Sequence, residues 1–332
     1  MSVFIIGLLF GIQGIMNAEN RFMAYKRTFL LLGLYLVCTL ASGQDTIPGQ
    51  FRHNQDGFIE YIPGNMPVVI SIPHGGSLLP ATIPERPCIN CAKHRDTLTI
   101  EIGLGLRDII YERTGFAPYI IINNLHRTRL DPNRNIDEAA DGNKNAGLAW
   151  HEFQDYIDSA NAEVQRNFSK GLYIDLHGHR HKINRIELGY LLSSEELQLD
   201  DSTLDDGSFE EFSSIRNLAG NNIGGLTFAE LVRGRFSMGS MLEERGYVCV
   251  PSPGLPAPGP DEAYFSGGYN TYRHGSSNGG TIDGIQIELD EAVRTDNDSR
   301  NKLISDLAEV IIEFMRTHYF PDINGHSGER FH

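Results

Sequence analysis

The feature that most constrains this chain is an alternation: short apolar runs bounded by Gly, Pro or Asn recur between longer stretches of helical period. Such a pattern builds an α/β sandwich on one sheet. The apolar runs predict strands over 67–72, 117–123, 172–176, 186–192, 247–250 and 282–289. Helical periodicity predicts helices over 97–114, 147–168, 209–218, 227–245 and 299–319. The last is the clearest, with Leu303, Leu307, Val310, Ile311 and Phe314 on one face. No internal repeat interrupts the pattern. The acidic stretch 193–211 and the Pro-rich PSPGLPAPGP at 251–260 read as insertions over the sheet, so residues 44–332 are expected to form one domain.

Residues 1–43 differ in character. Met23 is followed by Lys26 and Arg27, an apolar run from Phe29 to Leu40, and the small residues Ala41, Ser42 and Gly43. That order is the layout of a secretory signal peptide. Residues 1–22, upstream of a second start at Met23, read as an extension. A run of roughly a dozen apolar residues is short for a bilayer span, which needs about 20. The expectation is therefore a secreted protein with no membrane partner after cleavage, a retained anchor being the alternative.

Composition narrows the partners. With 40% hydrophobic and 21% charged residues the chain is not disordered, and 28 Lys and Arg against 43 Asp and Glu leave no basic excess to neutralise phosphates. Nucleic acid is thus not an expected partner. Of the four cysteines, Cys38 leaves with the signal, and Cys88 and Cys91 form a C-x-x-C with no second pair to complete a structural zinc site. In an oxidising compartment a local disulfide is expected there, and Cys249, in YVCV, is expected to be a buried free thiol. Asn167 and Asn297 begin sequons that could carry glycans on that route.

Two strands end in histidine. PVVISIP runs into His74-Gly75-Gly76, and GLYIDL into His177-Gly178-His179, at the strand-to-loop junctions where α/β sheets place ligand groups. Two imidazoles at two strand ends invite a metal, and a catalytic zinc site takes three His or carboxylate ligands and leaves a fourth position for water. Asp96, opening a helix in HRDTLTIE, is the nearest third ligand, with Glu101 behind it. Taken singly, each of these residues reads as readily as a satisfied loop histidine or a helix cap. Near the C-terminus GIQIELD sets Gln286 and Glu288 on one face and Ile285, Ile287 and Leu289 on the other. A carboxylate on an apolar strand is costly without a partner, so Glu288 is the candidate general base toward a metal-activated water; an arginine-paired structural glutamate is the alternative.

Anion-binding groups follow the strand APYIIIN. LHRTRLDPNRN packs Arg127, Arg129 and Arg134 around Asp131 and Asn133. Asn133 and Arg134 read as a carboxylate clamp, and Arg127 as a group that polarises a scissile carbonyl; a solvated turn held by salt bridges is the bland alternative. Arg273 and His274, in the glycine-rich SGGYNTYRHG, could reach a ligand from a loop.

Together SIPHGG at 71–76, RD at 95–96, HRTRLDPNR at 126–134, DLHGH at 175–179, GGYNTYRHG at 267–275 and IQIEL at 285–289 make the chain resemble the N-formylglutamate amidohydrolase family, itself similar to zinc carboxypeptidases and aminoacylases. The resemblance spans roughly residues 66–290 in the family's motif order. It implies a three-layer α/β/α fold with a mixed central sheet, like that of zinc exopeptidases, one zinc ion per chain, and hydrolysis of an amide next to a carboxylate. It further implies ligation by His74, Asp96 and His177, Glu288 as base, and carboxylate binding by Asn133 and Arg134 assisted by Arg273. Three places depart from the bacterial formylglutamate enzymes: the PHGG loop where they have a serine, DLHGH after the metal histidine, and His126 before the arginine. These changes leave the substrate open. His179 and His181 are additional, His179 being a candidate for substrate binding or for support of the metal. The expected substrate is a small molecule or peptide end with a free carboxylate. A zinc carboxypeptidase, or a non-catalytic extracellular binding or matrix protein on the same fold, are the competing readings.

Overall fold

The computed structural model describes residues 52–53, 56–89 and 91–321, all within the unit Ile47–His332. The expected signal segment over 1–43, with Cys38, lies outside the described residues. The strands are β1 (Arg52–His53), β2 (Ile59–Ile62), β3 (Val68–Ile72), β4 (Tyr119–Asn123), β5 (Gly171–Gly178), β6 (Ile186–Gly189), β7 (Cys249–Val250) and β8 (Ile282–Leu289). They form one sheet in the order β1-β2-β4-β3-β5-β8-β6-β7. β4, β3, β5 and β8 run parallel at its centre, and β2 and β6 flank them antiparallel. The helices are α1 (Thr99–Thr114), α2 (Ile136–Ala140), α3 (Lys144–Phe168), α4 (Ser194–Leu197), α5 (Asp201–Leu204), α6 (Ser208–Phe212), α7 (Arg216–Asn221), α8 (Phe228–Arg233), α9 (Met238–Glu243), α10 (Tyr269–His274), α11 (Glu291–Thr295) and α12 (Asn297–His318).

Period-two alternation sorts the strand side chains into two cores. Val68, Ile70 and Ile72, with Ile120, Ile122, Leu172, Ile174 and Leu176, enter one apolar cluster, while Val69, Tyr119, Ile121 and Tyr173 enter another. α1 and α12 cover the first with Ile102, Leu106 and Ile110 and with Leu303, Leu307, Val310, Ile311 and Phe314. α3 covers the second with Trp150, Phe153, Ile157 and Val164. A mixed sheet between two helical layers is the three-layer α/β/α sandwich that the resemblance implies, and its α/β class is the one the alternation predicts. Truncating one such buried side chain, as in Leu307→Ala, is expected to cost about 2–5 kcal/mol.

The helices around 208–245 differ from expectation. The helix expected over 209–218 is split into α6 and α7, because Ser214 N–H and Ser213 Oγ both donate to Tyr190 O and hold the chain against the sheet. The one expected over 227–245 breaks at Gly234, whose backbone is extended, and restarts where Ser237 accepts from Ser240 N–H as the cap of α9. The strand expected over 186–192 ends at Gly189, since Leu191 adopts a positive φ of 65° and donates to Ser266 O instead. Cys88 and Cys91 are disulfide-bonded, and Cys249 is free and buried. Asn167 and Asn297 are exposed. Among the described residues no helix is long and apolar enough to cross a membrane.

Candidate metal centre and active site

Register brings the chemistry-bearing strands together. β5 pairs with β8 so that Asp175 lies opposite Gln286 and His177 opposite Glu288. The same alternation that sends Leu176, Ile287 and Leu289 into one core turns these four polar side chains to the other face. His74 lies just past β3, and Asp96 N–H donates to His74 O at 2.9 Å, tying the two loops. At Gly76 a Cβ would fall 2.2 Å from the Asn124 carbonyl carbon, so this loop can pass β4 only as glycine.

Three donor atoms form a small triangle. His74 Nδ1 is 3.1 Å from His177 Nδ1, and Asp96 Oδ2 is 3.3 Å from each of them. The far sides of both rings fix their tautomers. His74 Nε2–H donates to Asp131 Oδ1 at 2.7 Å, and His177 Nε2–H donates to Asp175 Oδ2 at 2.9 Å. Asn133 Nδ2 lies 3.2 Å from His177 Nε2 as well, but it is itself a donor, so the acceptor-only carboxylate decides where the proton sits. Both Nδ1 lone pairs therefore face each other and a carboxylate oxygen in a buried site, which is repulsive unless a cation lies between them. Ligands about 2.0–2.1 Å from a tetrahedral ion are about 3.3 Å apart, which matches these edges. The residues fit a metal, and histidines that donate their second N–H to carboxylates are the usual support for one.

Electrostatics agree with that demand for positive charge. Burial opposes a charge on His177, yet Asp175 and Glu288 hold its pKa well above the ordinary imidazole range. Burial likewise works against ionised Asp96, but the adjoining imidazoles of His177 and His74 pull its carboxyl far below the usual range. Glu288 stands 4.0 Å from His177 Nδ1. Its Oε1 accepts from Gln286 Nε2 at 3.0 Å, and its Oε2 is buried without a hydrogen-bond partner. Burial pushes this carboxyl up to about 8, against the pull of His177.

A cavity of about 310 Å³ opens over these groups, lined by His74, Asp96, His177 and Glu288 together with Arg127, Asn133, Arg134 and His179. Arg127 Nε donates to Asp131 Oδ2 at 3.0 Å, and Arg134 is half-exposed. Asn133 is almost consumed by the fold, since its Oδ1 accepts from Asn270 N–H at 2.9 Å. Glu101 points to solvent from α1, so Asp96 is the carboxylate that joins the histidines. Arg273 and His274 are not brought to the cavity. SGGYNTYRHG forms α10 against α3, where Arg273 pairs with Asp158 at 2.9 Å and His274 is buried between Gln154 and Asp158.

The roles of three residues of this site were not anticipated. Asp131 and Asp175 are the carboxylates that aim the two imidazoles; Asp175 is anchored in turn by Ser71 Oγ at 2.7 Å. The period of β5, which puts Asp175 two residues before His177 on one face, was the available signal for it. The third is Arg294, fully buried, whose guanidinium donates to the carbonyls of Thr97, His179 and Leu289. Those carbonyls follow Asp96, His177 and Glu288 by one, two and one residues, so a single side chain ties the three loops. A Cβ on Gly178 would lie 2.4 Å from Arg294 Cζ, which is why glycine stands there.

What fold and site together define is an α/β/α protein with a candidate metal centre at the ends of its parallel strands. No protein-family profile matches the chain, and no curated protein sequence does. Among solved structures it is similar to N-formylglutamate amidohydrolase from Ralstonia eutropha, with 13% identity over 74% of this chain and 91% of that one and a TM-score of 0.44. A gene product of Agrobacterium tumefaciens is 12% identical over 80% of this chain and 98% of that one, with a TM-score of 0.46. The catalytic domain of the N-acetylmuramoyl-L-alanine amidase CwlV from Bacillus (Paenibacillus) polymyxa is 11% identical over 75% and 98%, with a TM-score of 0.33. These are distant similarities.

Proposed function

We propose that the protein is a secreted zinc-dependent amidohydrolase that cleaves the amide of a small carboxylate-bearing substrate of the N-acyl amino acid type. The observation that carries this reading is the convergence of two imidazole lone pairs on Asp96 beside a buried Glu288 oxygen with no partner. His74, Asp96 and His177 would hold the ion, a mixed nitrogen and oxygen set that suits zinc and leaves one position open. When bound, the metal supplies Lewis-acid polarisation and makes water more acidic. Glu288 takes up the water's proton on Oε2 and delivers it to the departing amine. A cation nearby draws its raised pKa back down, which favours the carboxylate form that can take up a proton. Arg127, fixed by Asp131, offers N–H groups to the charge growing on the carbonyl oxygen. Arg134, at the cavity wall, binds the substrate carboxylate. The Cys88–Cys91 disulfide accords with an oxidising compartment.

Metal analysis of the purified protein should find about one zinc per chain. Glu288→Gln should keep that metal and lose hydrolysis of N-acyl amino acids by about 100-fold or more. Full activity in this variant would sink the assignment of the base. Peptides with free and amidated C-termini separate this reading from a carboxypeptidase, and a folded protein that takes up no metal would favour a binding role.

A further inference from the structure

We propose that the cavity contains an aromatic subsite, formed by His181 and Phe265, that takes a flat π-bearing acyl group. This rests on the reading of the cavity as a site for N-acyl amino acids, and it specifies the acyl half of the substrate.

Both rings line the same cavity as the candidate metal ligands. They stack with centroids 4.6 Å apart and planes 21° from parallel, and His179 continues the row, 4.8 Å from His181. Phe265 is 43% exposed, which is unremarkable for an isolated surface residue but not for one fixed at a cavity wall. The loop that carries it is bound to β6 and the residues just after that strand at three successive residues. Tyr264 OH donates to Leu188 O at 2.6 Å, Phe265 N–H donates to Glu187 Oε2 at 2.9 Å, and Leu191 N–H donates to Ser266 O at 2.6 Å. The other partner is held by the same carboxylate, since His181 Nδ1–H donates to Glu187 Oε1 at 3.0 Å. Glu187 is fully buried and is neutralised by Arg185, itself paired with Glu262 on the Phe265 loop.

One buried acid thus positions both halves of an aromatic pair whose outer surface is open. A rigid, pre-ordered π surface loses little freedom on binding and favours a planar unsaturated group over a saturated one of equal size. Benzoyl and related acyl groups have that shape, and acetyl or formyl groups are too small to use it.

The test compares binding, so turnover is not needed. Calorimetry on the zinc-loaded Glu288→Gln protein should show N-benzoylglycine bound about 3- to 10-fold more tightly than N-(cyclohexanecarbonyl)glycine. In the same background Phe265→Leu, which keeps apolar bulk without the ring, should bring that ratio close to 1 and leave N-acetylglycine unchanged. Ligand-observed NMR with benzamide and cyclohexanecarboxamide repeats the comparison without a carboxylate. A Phe265-dependent preference in the benzamide pair, with no binding of any glycine conjugate, would uphold the subsite and refute the carboxylate reading. Equal binding of flat and saturated rings in both pairs, a preference that survives Phe265→Leu, or no binding by either pair, overturns the subsite.

Discussion

Two neighbouring groups have the same composition and opposite character. His74, Asp96 and His177 are two imidazoles and a carboxylate with donor atoms close together, and so are His179, His181 and Glu187. In the first group the outer nitrogens are tied to Asp131 and Asp175, so the inner nitrogens converge on Asp96 and call for positive charge among them. In the second, the three side chains are already engaged in hydrogen bonds with one another and with their neighbours. His179 Nε2–H donates to Arg185 O, and His179 Nδ1 accepts from His181 N–H. Glu187 accepts from His181, from Arg185 and from the Phe265 backbone. Proximity of ligand-type residues is therefore not what makes a metal site. The direction in which their hydrogens point decides it, and the carboxylates behind the rings set that direction.

The sharpest way to break this contrast is to remove one ring from each group. His177→Ala should lower zinc affinity by well over 100-fold, more than the loss of a residue that merely orients a ligand, whereas His181→Ala should leave affinity and stoichiometry nearly unchanged; competition with a chromophoric chelator reads both. Equal losses would mean that the second group also binds metal. Next come the orienting acids. Asp131→Asn and Asp175→Asn should each weaken zinc by about 10- to 100-fold while the protein still folds, and Glu187→Gln should lower the melting temperature without moving zinc affinity.

In the metal-free protein Arg294→Met removes its bonds to the Thr97, His179 and Leu289 carbonyls, of which Leu289 O keeps a second donor in His179 N–H, and is expected to cost about 2–4 kcal/mol in denaturant unfolding. A loss no larger than for a surface arginine would remove Arg294 from the account. The mildest effect is one of pH. His177 is held above its ordinary pKa in the metal-free chain, so its protonation stabilises the fold fully below about 6.5, and this contribution fades as pH rises through the higher folded value. Burial depresses His179, despite its bond to Arg185 O, so its contribution runs the other way, present above about 6.5 and lost as pH falls from there through the lower folded value. Zinc must displace the His177 proton, so its affinity should rise with pH, and calorimetry in buffers of different ionisation enthalpy should register proton release. Affinity that is flat across pH 5 to 8 would contradict a proton held on His177 in the metal-free chain.

Much of this was legible in the chain. Strand period and glycine junctions located His74 and His177, and a carboxylate on the apolar strand β8 singled out Glu288, because local patterns determine all three. Asp131 was harder. It sits in an irregular loop, and its value comes from meeting His74 across 57 residues, which no local period encodes. SGGYNTYRHG misled for the opposite reason. Its glycines suggested an open loop, but Tyr269–His274 coil into α10 and bury His274 against α3, so residues expected at a ligand support the fold instead. The breaks at Ser213 and Gly234 had the same origin, as long-range bonds or an extended glycine overruled helical periodicity.

Arg294 has a consequence for how this centre can change over time. Because one planar group fastens the segments after Asp96, His177 and Glu288, the candidate metal position and the Glu288 carboxyl share a common peg and cannot drift apart one at a time. Gly178 is bound into the same arrangement, having no room for a side chain beside the guanidinium. Substitutions at these two positions should therefore be tolerated only in concert, and a descendant that lost the arginine would lose its working geometry in a single step rather than by gradual wear.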